Sequence, residues 1–387
     1  TAGDEIQGLL DDPAAVRALG GESTRAVYRD LLRFGPRSRS QLSQRLRLSA
    51  PTVTRVTRDL LERDLLHPLT SVHRAKGRPQ EPLDIEENRG PRFIGAKVTA
   101  DEVHAVVTSV RAVVLEELVL PLAGTAPETV VETVLEAVGA MFSAHPRVAG
   151  VGVGLGGLVA ERRTVLSSHL LGWQEPVELA AALEARVPVP VVVENDLVAM
   201  VDGLHWFGGG RSYDSFAVLT VGAGVGIGAV VDGRVVRGHR HMAGLTGRFP
   251  LGAESGSVPI REVASTASVV RRAREQGVLG PAEGIEELRG LIARGHEGAR
   301  EIAAGTARAL AAVAVGLVAV LDPEAILLGG EDVDLVRAVS PAFEDALREG
   351  SAGAQQDLPV RTLSGDFDEW ARGVAVIAIQ EFAGAAP

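Results

Sequence analysis

At 387 residues the chain is too long for a single hydrophobic core, and a prior of roughly 150 residues per domain predicts two or three units. Its composition, 46% hydrophobic, 23% charged and 4% aromatic, is that of a globular protein with aliphatic cores and excludes a disordered chain. The absence of cysteine excludes disulfides, thiol nucleophiles and Cys-ligated zinc, and the net charge of −11 makes any polyanion-binding surface a local feature.

Residues 1–20 form an acidic tail where a leader peptide would be basic, and no run of about 18 unbroken apolar residues follows, so a cytoplasmic chain with no membrane contact is expected. The next sixty residues reverse the sign. Positions 21–80 hold 13 basic and five acidic residues, net +8, ahead of a remainder, 81–387, at −16. Such asymmetry points to a polyanion partner for the basic segment, with a solvated Arg-rich face as the plain alternative.

Within that segment the apolar spacing predicts three short helices. "STRAVYRDLLRFG" places Val27, Leu31 and Leu32 at helical intervals and stops at Gly35-Pro36. "SRSQLSQRLRLS" turns Leu42 and Leu46 inward. In "SAPTVTRVTRDLLERDLL" Ser49 caps the helix, Pro51 is tolerated in its first turn, and Val53, Val56 and Leu60 share a stripe. At about 100° per residue Arg55 and Arg58 fall opposite that stripe, flanked by Thr52 and Thr54, the layout of a recognition helix in a major groove. Exposed arginines on a helix also serve only to solvate it. The stretch "HRAKGRPQEP" then holds Lys76, Gly77 and Arg78 between two short extended runs. Gly77 permits a turn and Pro79 keeps Arg78 extended, so the segment reads as a hairpin tip that reaches a minor groove. A winged helix-turn-helix over 21–90 is predicted, with double-stranded DNA as its partner.

"SRSQLSQRLRLSAPTVTRVTRDLLERDLL" followed by "KGRP" resembles the N-terminal domain of ROK-family transcriptional regulators, among them xylose and N-acetylglucosamine repressors. The rest of the chain extends the resemblance. Three strands in 91–122, a helix at "PETVVETVLEAVGAMFSAHP" and a glycine-ended strand at "VAGVGVGLGGLVA" are matched later by strands in "SFAVLTVGAGVGIGAVVDGRVVR", a long helix at 298–323 and the strand "EAILLGG". Strands, helix and strand occur twice, which predicts an α/β class with a duplicated body. The resemblance implies an actin-like (ribonuclease H-like, ROK sugar-kinase) fold with one lobe at 91–200, completed by a C-terminal helix at 369–387, and a second at 201–368.

The resemblance also implies roles. "VENDLVAM" matches a motif whose Asn and Asp contact the sugar and act as general base, here Asn195 and Asp196, although both residue types equally begin a helix as caps. Gly157 falls on the loop beside them. Gly222, Gly224, Gly226 and Gly228 match a phosphate-binding loop, and glycine turns also serve hairpins. Departures are pronounced. Lys97 stands where the kinases carry the Asp of a first phosphate loop, and the glycine pair of that loop is missing, so phosphoryl transfer is not expected. In "MAGLTGRFPLGAESGSVPIREVAS" Leu245, Arg248 and Arg261 replace two sugar-binding acids and a histidine, and Val258-Pro259 stands in place of a zinc-binding Gly-Cys. No metal or other cofactor is expected, since His239 and His241 make a thin ligand set. His239, Arg240, His241, Arg248 and Arg261 instead read as a cationic lining for an anionic ligand.

The expected protein is a transcriptional regulator, a repressor by preference. It would work as a homodimer or homotetramer on an operator, with a non-catalytic body that dimerises and senses a small-molecule effector. The alternatives are an active sugar kinase carrying an accessory DNA module, and a body that serves only as a dimerisation scaffold.

Overall fold

The computed structural model describes residues 19–70, 81–239, 243–244, 249–252, 257–351, 357–365 and 367–385. Contacts divide the chain into two compact units, Thr1–Phe207 with Trp370–Pro387, and Gly208–Glu369.

The first unit begins with three helices whose ends follow local chemistry. Helix α1 (Glu22–Phe34) stops at Gly35, which takes a φ of +80°, and at the proline after it. Helix α2 (Arg39–Leu46) starts with a capping box in which Ser38 and Gln41 satisfy each other's backbone N–H groups, and it ends on Arg47 in the left-handed conformation. Helix α3 (Ala50–Glu62) is capped by the Ser49 side chain, with Pro51 in the first turn. Val27, Leu31, Leu32, Leu42, Val53, Val56 and Leu60 are fully or almost fully buried among them. Strands β1 (Leu66–Pro68) and β2 (Leu83–Ile85) then pair antiparallel, Leu66 opposite Ile85. The hairpin tip predicted at Lys76, Gly77 and Arg78 lies outside the described residues.

A five-stranded sheet follows, built from β3 (Arg92–Val98), β4 (Glu102–Ser109), β5 (Val114–Pro121), β6 (Val148–Leu155) and β9 (Val191–Asn195), in the order β5-β4-β3-β6-β9. The first three strands are antiparallel, and β6 and β9 run parallel to β3. Between β6 and β9 come a small hairpin, β7 (Leu158–Ala160) with β8 (Thr164–Ser167), and the second of two helices on this sheet, α4 (Pro127–Ala144) and α5 (Leu179–Glu184). Helix α4 packs Val130, Val134 and Val138 into a core with Ile94, Ala96 and Val107. Helix α6 (Asp196–Phe207) leaves β9 directly.

The last helix of the chain, numbered α13 below, covers Phe367–Phe382 and lies on this sheet. Alternate glycines make room for it: a Cβ on Gly95 would sit 2.1 Å from the Ala371 carbonyl oxygen, and one on Gly152 would sit 2.2 Å from that of Val374. Helices α6 and α13 approach closely as well, since a Cβ on Gly203 would come within 2.9 Å of the Gly373 Cα. Beside that contact, Gln380 donates to Asp202 at 2.8 Å and accepts from Arg162 at 2.8 Å, a buried polar bridge between the two helices. Phe382 meets Tyr28 and Phe93 edge-on, at 5.8 and 5.5 Å between ring centroids. Arg29 donates to the Gly384 carbonyl at 2.7 Å, and the Arg33 guanidinium lies 3.2 Å from His205 and 5.1 Å from the Trp206 ring centroid. The three-helix segment thus rests on α6 and α13.

The second unit repeats the sheet. Strands β10 (Phe216–Val221), β11 (Val225–Val231), β12 (Arg234–Val235), β15 (Ala325–Gly329) and β16 (Val360–Thr362) lie in the order β12-β11-β10-β15-β16. As in the first sheet, three antiparallel strands are followed by two parallel to the central one. A short pair, β13 (Pro250–Leu251) with β14 (Val258–Pro259), precedes helices α7 (Arg261–Ala264), α8 (Thr266–Glu275), α9 (Ile285–Ala293) and α10 (Glu297–Leu321), and α11 (Val333–Arg337) and α12 (Ser340–Gly350) follow β15. Among the described residues α10 is the one helix long and apolar enough to cross a bilayer. Its Ala303, Ala307, Leu310, Ala311 and Ala314 are buried in the core of this unit, which accounts for its composition.

Candidate functional site

Helix α3 presents two faces. Val53, Val56 and Leu60 are buried, whereas Thr54, Arg55 and Arg58 are exposed and Thr52 is half-buried. Ser49 accepts from the Thr52 N–H, its hydroxyl lies 2.8 Å from that of Thr52, and the Thr54 hydroxyl donates to the Ala50 carbonyl at 2.9 Å. The exposed face therefore carries ordered hydroxyls beside guanidiniums. Not every basic residue here is available to a partner. Asp30, almost fully buried, takes Arg37 at 2.9 Å and Arg45 at 2.6 Å, while Arg39 donates to Thr57 and Arg63 faces Asp59. Arg47, Arg55 and Arg58 have no ion-pair partner among the described residues. Arg47 was not singled out by sequence. Its left-handed turn position between α2 and α3 brings it to the same end of α3, and Arg39, Ser40, Ser43, Gln44, Ala50 and Thr54 line a depression between the two helices.

A second cluster forms where β6 and β9 end. Asn195 donates through Nδ2 to the Gly157 carbonyl at 2.9 Å, and its Oδ1 accepts from the N–H groups of Leu197 and Val198 at 3.0 and 3.2 Å. Asn195 thus caps α6 and ties it to the loop after β6. Gly157 is needed there, because a Cβ would fall 2.7 Å from the Ser167 carbonyl oxygen. The structure brings Gly157, Asn195 and Asp196 together, and adds a residue that reverses the electrostatics. Lys97, on β3, is ion-paired with the Asp196 carboxylate, and its Nζ lies 4.8 Å from the Trp370 ring centroid. Lys97 and Asp196 are 7% and 14% exposed in their side chains. The ammonium contacts one carboxylate oxygen of Asp196, and the other accepts from the Leu197 N–H at 2.9 Å.

In the second unit Gly222, Gly224 and Gly226 lie at and after the β10–β11 turn. Gly222 donates to the Gly224 carbonyl at 3.0 Å, Gly226 to the Thr220 hydroxyl at 3.1 Å, and the Ala223 N–H to Glu331 Oε1 at 2.6 Å. Of the predicted cationic lining, His239 and Arg261 are exposed, and Arg261 faces its neighbour Glu262 at 3.4 Å. Arg240, His241, Leu245 and Arg248 lie outside the described residues. Among the described residues no group of three His, Asp or Glu side chains is placed to hold a metal ion.

Two five-stranded sheets of like order with crossover helices, one carrying the Asn195-Asp196 cluster and the other a glycine turn, define a mixed α/β protein of sugar-kinase-like architecture. The chain belongs to the ROK family, whose model matches residues 94–381. It is 25% identical over 353 residues to the DNA-binding transcriptional dual regulator NagC of Escherichia coli K12, covering 87% of each chain. It is 34% identical over 188 residues to the bifunctional enzyme NanE/NanK of Brucella melitensis biotype 1, 49% of this chain and only 35% of that relative's length. Among solved structures, a ROK family transcriptional regulator described as a homolog of the E. coli MLC protein matches with a TM-score of 0.80 at 24% identity, covering 94% of this chain and 96% of that one, a likeness of fold. The family thus includes both regulators and enzymes among the relatives of this chain.

Proposed function

We propose that the chain is a DNA-binding transcriptional regulator, a repressor, whose kinase-like body performs no phosphoryl transfer. In this reading α1–α3 with β1 and β2 form a winged helix-turn-helix, α3 enters the major groove, and Lys76, Gly77 and Arg78 follow the backbone into a minor groove. The observation that carries it is the division of cations in the head. Asp30 holds Arg37 and Arg45 in the fold, while Arg55 and Arg58 project from the exposed face of α3 beside the Thr54 hydroxyl. Guanidiniums so placed suit phosphate oxygens and guanine edges. The likeness to NagC over most of both chains supports the same reading.

The Lys97–Asp196 pair supports the non-catalytic half, because the residue in the general-base position is neutralised by the side chain that replaces a phosphate-loop acid. In this reading the chain acts as a homodimer or homotetramer, since a single head reads few base pairs and helix-turn-helix proteins commonly pair on two-fold half-sites. An effector near Asn195 would act on the head through α6 and α13, which run from that cluster to Arg33, Tyr28 and Arg29. In this reading the chain works in the cytoplasm.

Binding to sheared genomic DNA, followed by fluorescence anisotropy at low and high salt, tests the proposal. Tight, salt-sensitive binding is the expected result, and no binding at low ionic strength defeats it. The enzyme reading draws on the retained Asn195 and Asp196 and on the likeness to NanE/NanK. Sugar-dependent ADP release in a coupled assay would establish it.

A further inference from the structure

The glycine turn after β10 already holds an anion, and that anion belongs to the chain itself. We propose that the Glu331 carboxylate is a built-in occupant of the Gly222-Ala223-Gly224 turn, and that a phosphate-bearing molecule reaches this turn only by displacing it. Three features of the contact carry this. The Ala223 N–H donates to Glu331 Oε1 at 2.6 Å. A Cβ on Gly222 would lie 1.9 Å from Glu331 Cδ and 2.1 and 2.3 Å from its two oxygens, so the carboxylate rests directly on glycine backbone. On the other side a Cβ on Gly224 would meet nothing within 4 Å, so a group that displaces the carboxylate has room on that flank.

Both partners are anchored independently of the contact. Thr266 N–H donates to the Gly222 carbonyl at 2.7 Å and fixes the turn. Arg289 donates to the Glu331 carbonyl at 2.7 Å and to Asp332 Oδ1 at 2.5 Å, and the Asp332 N–H donates to the Val221 carbonyl at 3.0 Å. Gly330, at a φ of +94°, carries the chain across β10, where a Cβ would come within 2.4 Å of the Val221 carbonyl oxygen. The Glu331 backbone is thus fixed while its half-buried side chain lies on the turn. Backbone N–H groups in a glycine turn suit any compact oxyanion, so carboxylate and phosphate compete for one site. The intramolecular competitor acts at an effective concentration on the order of millimolar or higher, and weak phosphate ligands lose to it.

This deepens the non-catalytic reading of the body, yet can fail separately from it. Inorganic phosphate, magnesium-free ADP and glucose 6-phosphate are titrated calorimetrically into the full chain, into Glu331→Gln, which keeps the volume but not the charge, and into Glu331→Ala. Circular dichroism verifies that each variant is folded. The expected order of affinity is wild type below E331Q below E331A, with at least a tenfold gain from wild type to E331A. An equal gain for all three probes identifies the phosphate group alone as the ligand; a larger gain for ADP or the sugar phosphate identifies that carrier, and either result supports the displacement. Folded E331A that binds none of the probes, or wild type that binds as tightly as E331A, overturns the proposal. Turnover by the wild-type chain would overturn only the non-catalytic reading.

Discussion

The Lys97 ammonium is paired with the Asp196 carboxylate across 99 positions of sequence, at the point where β9 becomes α6. Lys97→Met removes the cation and leaves a largely buried carboxylate without its countercharge, a loss of about 3–5 kcal/mol. Asp196→Asn keeps the shape but leaves the still more deeply buried Lys97 ammonium without its countercharge, a loss of the same order. Chemical denaturation of both single variants and the double variant measures the coupling, and additive effects would show that the pair contributes nothing. Lys97→Asp sets two acids together and is expected to lower stability without producing any ADP from ATP and sugar.

Arg55→Ala or Arg58→Ala should weaken operator binding by about 1–3 kcal/mol if each side chain reads a base, and each lost phosphate contact should make the salt dependence shallower by about one unit of slope. Arg45→Ala is the instructive control. Its guanidinium belongs to Asp30, so the variant should lower the melting temperature rather than change the sequence preference of binding. Anisotropy titrations at several salt concentrations separate the two outcomes.

Gly152→Ala should be among the most damaging single-methyl changes in the chain. The new Cβ would lie 2.2 Å from the Val374 carbonyl oxygen, so α13 must lift from the sheet, and overpacking of this kind costs at least about 1–3 kcal/mol. Limited proteolysis is expected to release both α13 and the head that rests on it. A variant as resistant as wild type would contradict the packing described.

Glu86 gives the head junction a pH dependence. Burial raises its pKa, but the Asn88 and Arg89 N–H groups and the nearby His67 and Arg89 charges more than offset this and hold it below the ordinary 4.5. A depressed carboxyl contributes stability that is fully present above its unfolded pKa and is lost as the pH falls through the folded one. Glu86→Gln should therefore cost about 1–2 kcal/mol near neutrality and flatten the stability curve below pH 4.5. Thermal melts between neutral and acid pH provide the check.

The head was legible because its signals are local. Ser49 caps α3 and Val53, Val56 and Leu60 share one buried stripe, as their spacing predicts. The glycine-rich strands were legible as strands, but not the reason for their glycines, which is the passage of α13 across Gly95 and Gly152. Charge counting treated all the head's cations alike. The fold separates Arg37 and Arg45, consumed by Asp30, from Arg55 and Arg58 on the exposed face of α3. Lys97 was read as a missing acid, and its partnership with Asp196 was invisible because nothing local links β3 to α6. Asn195 takes the capping role that one of its sequence readings gave it, and its bond to the Gly157 carbonyl was invisible because the loop after β6 lies far away in sequence.

The bond from Arg29 to the Gly384 carbonyl spans 355 positions, so it can form only after almost all of the sequence has been made. Until Phe382 has been made, Tyr28 and Phe93 lack the ring that meets both of them edge-on. The packing of the head is therefore completed last, and a polypeptide released early would present that apolar seam to chaperones and proteases.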